Sequence, residues 1–579
     1  SLQVLLVGTL FLLGDSASAN AAEPALDLVV QGGWIVDGTG NPPFRGDLAV
    51  VDGTIAEVGR IEPRRVAQAR RVIDARDLVV APGFIDMHSH SDRTLLLDGA
   101  APSKVFQGVT TDVLGEQDSG GPFLDQLEPS TVAVKGQPRS IRRLGEYLDA
   151  LDENGLAINV ATYVGLGNVW GCVMGKSFAR PTAEQFERMK AILAEAMEDG
   201  AFGLSDALAS PEANVVSTDD LVRLGEVVQR HGGLYSSHIR NEGEDVLKAV
   251  DEAIAVGERA GIPVDIIHVK IADQKLWGRM NQIVAKVEAA RARGVNAQTN
   301  VYPYTRGNNN LVSIVPPWAH EGGTAALLER LRSPADRARI VQEIQSGLPG
   351  WYNHYLAVGG DWSRMLISAR LSDKNRRHQG QTMDVILADR ARLAGQAQPL
   401  EKAAQINLML DFLAEEGGSV STIYAHHTEE DMNLALIQPW CSIGSDGSAL
   451  AIEGPLRALG GHPHPRNFGT FPRVLGVYVR ERKLLRLEDA VRKMTSLNAA
   501  KLGLMDRGLL RPGLVADVCV FNPKTVIDRS TYLEPFQYSQ GIEYLIVNGT
   551  VVLEQGRPTS ARPGKTLRHG QRSNRDRVE

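Results

Sequence analysis

The run FIDMHSH places His88 and His90 one residue apart. In an extended strand, residues i and i+2 point to the same face, so both imidazoles can address one metal ion. A lone His-x-His carries little weight, but the pattern recurs. LYSSH ends at His238, VDIIH at His268 and WCSIGSD at Asp446, so four histidines and an aspartate sit at the ends of four β-like runs. His238 and His268 are separated by about one strand–helix repeat, which makes them neighbours. Imidazole-rich ligation favours zinc, as one ion or two. Zinc lowers the pKa of water to about 7 and polarises a carbonyl, and Asp446 beside it can take a proton and return it to a leaving nitrogen. The chemistry expected is that of a metal centre. Taken singly, each histidine also reads as a hydrogen-bonded core or surface imidazole. His426 and His427, which end TIYAHH, are left as structural or supporting residues, and His462 and His464 read as loop residues.

These side chains need a scaffold that gathers strand ends. Thr182 with Gln185 forms a capping box ahead of Phe186, Met189 and Leu193 at helical spacing, and Gly200 closes that helix before the strand AFGLS. Ser217 with Asp220 does the same for Leu221, Leu224 and Val228, leading to LYSSH. Val246, Val250 and Ile254 mark a third helix, closed by Gly261 and followed by VDIIH. Repeated strand–helix units predict an α/β fold, a TIM-like (β/α)8 barrel over 81–495, with the active site at the carboxyl ends of its strands. That span exceeds the roughly 250 residues of a plain barrel, so an insertion is placed at about 318–415. The sequence predicts β-rich segments at 26–80 and 496–558, with hairpin turns at Asp52-Gly53 and Asn548-Gly549, that pair into a small β-sandwich domain. The run Asn308-Asn309-Asn310 reads as a loop.

The 62 basic and 69 acidic residues leave a formal charge of −7. With no dominant basic stripe, that balance argues against nucleic acid as a partner and points to a small-molecule substrate. Cys172, Cys441 and Cys519 lie far apart and read as structural. Residues 3–13, QVLLVGTLFLL, are too short to span a bilayer and are followed by small residues up to Ala22. Residues 1–22 therefore read as a signal peptide, and the product as periplasmic or secreted, without stable membrane insertion. The polar, basic stretch 559–579 reads as a disordered tail. The oligomeric state is not legible.

PGFIDMHSHSD, QGVTTDVLGE, YSSHIRNEG, HVK, YPYT, IGSDGSAL and HPRNFGTFPRVLG occur in an order that resembles the amidohydrolase superfamily, specifically its D-aminoacylase (N-acyl-D-amino-acid deacylase) group. The resemblance runs from about Leu26 to Leu553. It implies a zinc-dependent hydrolase that releases D-amino acids from their N-acyl derivatives, with the insertion as a mobile segment over the site. It further implies metal at His238 and His268, a second position at His88 and His90, and substrate binding by Lys270, Tyr302 and Arg466. A cation such as Lys270 or Arg466 suits a free α-carboxylate. Where the group carries a metal-bridging cysteine, this chain reads GVTTDVLGEQD; of Glu116 and Gln117, only Glu116 offers an anionic oxygen. A carboxylated lysine on the fourth strand is closed off by Ser205. Leu166 and Trp170 replace a polar pair, which predicts an apolar side chain or acyl group. The competing readings are a cyclic-amide or dipeptide hydrolase of the same superfamily, and a periplasmic metal- or ligand-binding protein without turnover. Retention of Asp446 with all four histidines argues against the second.

Overall fold

The computed structural model describes residues 25–570 except Gln398. The signal segment expected at 1–22 lies outside the described residues, as does the end of the chain from 571. Among the described residues no helix is long and apolar enough to cross a membrane.

Short parallel strands carry the site: β1 (Phe84–Asp86), β2 (Val109–Leu114), β3 (Asn159–Thr162), β4 (Val164–Gly165), β5 (Gly203–Ala207), β6 (Leu234–His238), β7 (Val264–Ile266), β8 (Ala297–Val301) and β9 (Cys441–Ile443). They form two parallel sheets, β1-β2-β3 and β4-β5-β6-β7-β8-β9. Tyr163 alone separates β3 from β4. Past the other edges, Ser89 bridges Gly447 in parallel sense and the Asp446 amide donates to the His88 carbonyl at 2.8 Å. The strands are buried on both faces, as parallel strands covered by helices must be.

The helices follow their sequence signals. Thr182 Oγ1 accepts from the Gln185 amide and Gln185 Oε1 from the Thr182 amide, which fixes the start of Ala183–Glu198. Its buried stripe includes Phe186, Met189 and Leu193. Ser217 and Asp220 cap Thr218–Arg230 in the same way, and Gly261, at φ +69°, ends Val246–Ala260.

The two ends of the chain meet in one nine-stranded sheet, where Val79–Pro82 runs antiparallel to Val518–Phe521. Asp52-Gly53 and Asn548-Gly549 turn its hairpins with both residues at positive φ.

Three expectations change. Asn308-Asn309-Asn310 is not a loop. Gly307–Asn310 is a strand paired with Ser421–Tyr424, which also pairs with Met365–Ile367, because Asn308 Oδ1 accepts from Ser368 Oγ at 2.8 Å and Asn310 Oδ1 from the Val420 amide. The TIY of TIYAHH thus belongs to this small antiparallel sheet, and His426 and His427 follow its end. Residues between Leu311 and Tyr424 share an apolar core of their own, which extends past 318–415 at both ends. Residues 559–570 are not a disordered tail. Gly564 bridges Leu156, the Leu567 amide donates to the Val160 carbonyl at 2.7 Å, and Asp152 accepts from Thr566. Arg568 pairs with Asp149 on the helix Leu144–Asn154.

Candidate metal centre

The site is built from residues at or just beyond strand ends. His238 is the last residue of β6, whereas His88 and His268 lie two residues past β1 and β7, and Asp446 three past β9. Glu116 lies two past β2. His268, Asp446 and Gln117 all have positive φ, at +34°, +53° and +54°. Such backbone persists only where surroundings hold it. Asn300 Oδ1 accepts from the His268 amide, and the His88 carbonyl from the Asp446 amide.

Glu116 divides its carboxylate between two groups of side chains. Oε1 lies 3.0 Å from His238 Nδ1, which is 3.2 Å from His268 Nε2. Oε2 lies against His88 Nε2 and 3.1 Å from His90 Nε2, and His90 Nε2 is 3.0 Å from Asp446 Oδ1. Within each group, the ligand atoms lie within 4.8 Å of one another. Imidazole nitrogens and carboxylate oxygens gathered this closely form a donor set suited to divalent metal, with Glu116 able to bridge two positions. Burial would raise the Glu116 carboxyl, but His88, His238 and His90 hold it well below the usual range. Burial, then Lys270 and His238, bring His268 down to about 4, so its imidazole is neutral and offers a lone pair.

The residues behind the donors complete the arrangement. Glu242 Oε1 lies 3.1 Å from His268 Nδ1 and holds the ring with Nε2 turned toward the other donors. Glu242 also pairs with Lys270, whose Nζ is 2.7 Å from His268 Nδ1. Arg466 Nη1 donates to Asp446 Oδ2 at 2.7 Å. Burial pushes the Asp446 carboxyl up, but Arg466 and the imidazoles outweigh it, so Asp446 stays ionised. Below the centre, Lys104 is fully buried between Asp86 at 2.7 Å and Asp112 at 3.2 Å, and its Nζ also donates to Ser445 and the Gly447 carbonyl. This strut ties β1, β2 and the Asp446 loop together.

The structure thus brings His88, His90, Glu116, His238, His268 and Asp446 together, with Lys270, Tyr302 and Arg466 beside them. Tyr302 directly follows β8; its buried hydroxyl has no hydrogen-bond partner among the described residues. Its ring centre is 5.0 Å from the Arg466 guanidinium carbon and 5.9 Å from Lys270 Nζ. Both cations already hold protein carboxylates, which residue type alone does not disclose. His427 Nε2 donates to the Tyr304 carbonyl at 2.8 Å, and its ring packs 6.0 Å from the Tyr302 ring. His464 is more than a loop residue: it packs 6.2 Å from that ring, and its Nδ1 accepts from the Arg466 amide at 3.0 Å. Sequence reasoning missed Glu242 and Lys104. Glu242 could have been found, since it lies four residues after His238 in YSSHIRNEG.

The profile described as the amidohydrolase family matches residues 71–553. The N-acyl-D-glutamate deacylase of Alcaligenes xylosoxydans xylosoxydans is 35% identical, covering 94% of this chain and 96% of that protein. Among solved structures, the Bordetella bronchiseptica N-acyl-D-glutamate deacylase, complexed with zinc and a phosphonate that mimics the tetrahedral intermediate, is 33% identical with a TM-score of 0.74, covering 94% of this chain and all of that one. A D-aminoacylase whose binuclear metal centre shows one-metal activation and second-metal attenuation is 31% identical, with a TM-score of 0.74 and coverage of 94% and 100%.

Proposed function

The chain belongs to the amidohydrolase family, and we propose that within it this protein is a zinc-dependent deacylase that hydrolyses N-acyl-D-amino acids to a carboxylate and a free D-amino acid. The observation that carries this reading is Glu116, shared between two imidazole groups with the ionised Asp446 alongside. His238, His268 and Glu116 would hold the principal zinc, and His88, His90 and Glu116 a second; the metal supplies carbonyl polarisation and a more acidic water.

The chain's own groups do the rest. Asp446, anchored by Arg466, accepts the proton of the attacking water at a carboxylate oxygen and returns it to the amide nitrogen. The Tyr302 hydroxyl, free of protein partners, donates to the oxyanion or to the substrate carboxylate. Lys270 and Arg466 set a positive field for that carboxylate, although each shares its charge with Glu242 or Asp446.

The finer architecture belongs to this reading. The two parallel sheets are taken as one (β/α)8 barrel, with β3 and β4 as a single interrupted strand; the Ser89–Gly447 bridge supports closure. The nine-stranded sheet is taken as a β-sandwich, supported by separate apolar clusters around Val30 and Val29. Export through residues 1–22 is likewise proposed, on the apolar run 3–13, and N-terminal sequencing of the mature protein tests it.

A zinc-loaded screen of N-acyl-D- and N-acyl-L-amino acids, cyclic amides and dipeptides tests the function. Release of free D-amino acid that stops on chelation is expected. Turnover of cyclic amides alone would overturn the reading.

A further inference from the structure

A cavity lies beside Gln117, the residue after Glu116, and its walls include Leu166, Trp170, Phe178, Ala213 and Val216. None of its lining side chains is charged. It holds about 50 Å³ of open volume, several times the roughly 10–15 Å³ that one water needs on that measure, so about four non-hydrogen atoms fit.

Its place in the fold says which arm of a substrate reaches it. Leu166 directly follows β4, and Tyr302 directly follows β8. In the sheet order β4-β5-β6-β7-β8-β9, those strands are separated by three others, with His238 on β6 midway and His268 after β7. The cations Lys270 and Arg466 lie on the Tyr302 side. Gln117 joins the cavity wall to the ligands: it directly follows Glu116, its Oε1 accepts from the amide of Ala207, the residue paired with His238, and its carbonyl accepts from the Gly167 amide. In an N-acyl amino acid, the α-carboxylate and the acyl chain leave the scissile amide in opposite directions. A carboxylate held at Tyr302 therefore sends the acyl chain toward Leu166.

We propose that this cavity is the acyl pocket, and that it selects apolar acyl groups about two carbons longer than acetyl while rejecting charged ones. The assignment rests on the deacylase reading and deepens it. Trp170 presents a large ring there, and its buried Nε1 has no hydrogen-bond partner among the described residues. A carboxylate-bearing acyl group would meet no cation to compensate its lost hydration.

The test measures kcat/KM for N-acetyl-, N-butanoyl-, N-hexanoyl- and N-succinyl-D-leucine with zinc enzyme. Each buried methylene is worth about fourfold, so butanoyl should exceed acetyl by about fifteenfold, with hexanoyl falling back and succinyl below acetyl. Ala213→Leu, which fills the cavity, should bring the butanoyl-to-acetyl ratio toward one without moving the ratio of N-acetyl-D-leucine to N-acetyl-D-alanine. A wild-type ratio near one, or a ratio that Ala213→Leu leaves intact, overturns the proposal. So does a change confined to the leucine-to-alanine ratio, which would make this the side-chain pocket. Should Ala213→Leu not fold, Trp170→Ala must shift the optimum to hexanoyl or longer. Should no N-acyl amino acid turn over, the deacylase reading fails on its own. The pocket then stands if butanoate raises the melting temperature of zinc protein more than acetate does, and falls if the two are equal.

Discussion

Lys270 and Glu242 form a buried ion pair at the edge of the candidate metal centre, each about 5% exposed at its side chain. The same Glu242 oxygen lies 3.1 Å from His268 Nδ1, so one carboxylate both neutralises the ammonium and orients an imidazole.

Removing one partner of such a pair leaves an uncompensated charge, at a cost of about 3–5 kcal/mol. Lys270→Met should lose about that much in urea unfolding of the zinc protein, together with kcat/KM. Lys270→Met with Glu242→Gln should recover most of the stability but not the KM. Recovery of both would show that Lys270 has no role at the substrate.

Asp446→Asn should keep most of the metal, since its oxygens contribute to only one of the two donor groups. An amide cannot accept and return a proton, so kcat should fall by about 10²–10⁴-fold. Metal analysis and steady-state kinetics on the same preparation check this; near-normal kcat would mean that another base operates.

Glu116 contributes to both donor groups, so Glu116→Ala should lose metal from both. Glu116→Cys should retain at least one equivalent, because a thiolate can also bridge. Equilibrium dialysis with zinc reads the stoichiometry, and an unchanged metal content in Glu116→Ala would remove Glu116 from the centre.

Chelation should lower the melting temperature. A ligand that binds only the folded state stabilises it by about 2.7 kcal/mol at 100 times its Kd. The buried donors also crowd one another once the ion is gone. Calorimetry with and without chelator, followed by zinc repletion, checks the sign; no shift would mean that the donors hold no metal in solution.

Much of this centre was legible because parallel strands deliver their terminal residues to one end, and apolar runs ending in His or Asp mark those ends. The ligands fall within four residues of a strand end, the offset arising in part where the backbone turns at His268 and Asp446. What the sequence could not show were pairings between distant, unpatterned residues. Lys104 meets Ser445 across 341 positions, and Lys270 meets Glu242 across 28. The asparagine run misled because turn-forming residues became strand residues once Ser368 and Ser421 were there to bind their amides. The basic C-terminal stretch misled because its partners, Asp149 and Asp152, lie on a helix some 400 residues earlier.

Tyr302 offers the sharpest separation of stability from chemistry. Its hydroxyl is buried without a hydrogen-bond partner among the described residues, and burial raises its pKa well above the ordinary phenol value, so it remains a donor at any working pH. An unsatisfied buried hydroxyl contributes nothing to folding that a phenyl ring would not, so Tyr302→Phe should unfold at the same denaturant concentration or slightly higher. A donor aimed at the developing oxyanion is worth about 10²–10³ in kcat, whereas a donor to the ground-state carboxylate acts mainly on KM. Tyr302→Phe should therefore leave stability and zinc content intact while lowering kcat/KM. A loss in kcat assigns the hydroxyl to the oxyanion, and a loss in KM alone assigns it to the carboxylate. A variant that unfolds more readily yet turns over normally would place the hydroxyl in the scaffold and remove it from the reaction.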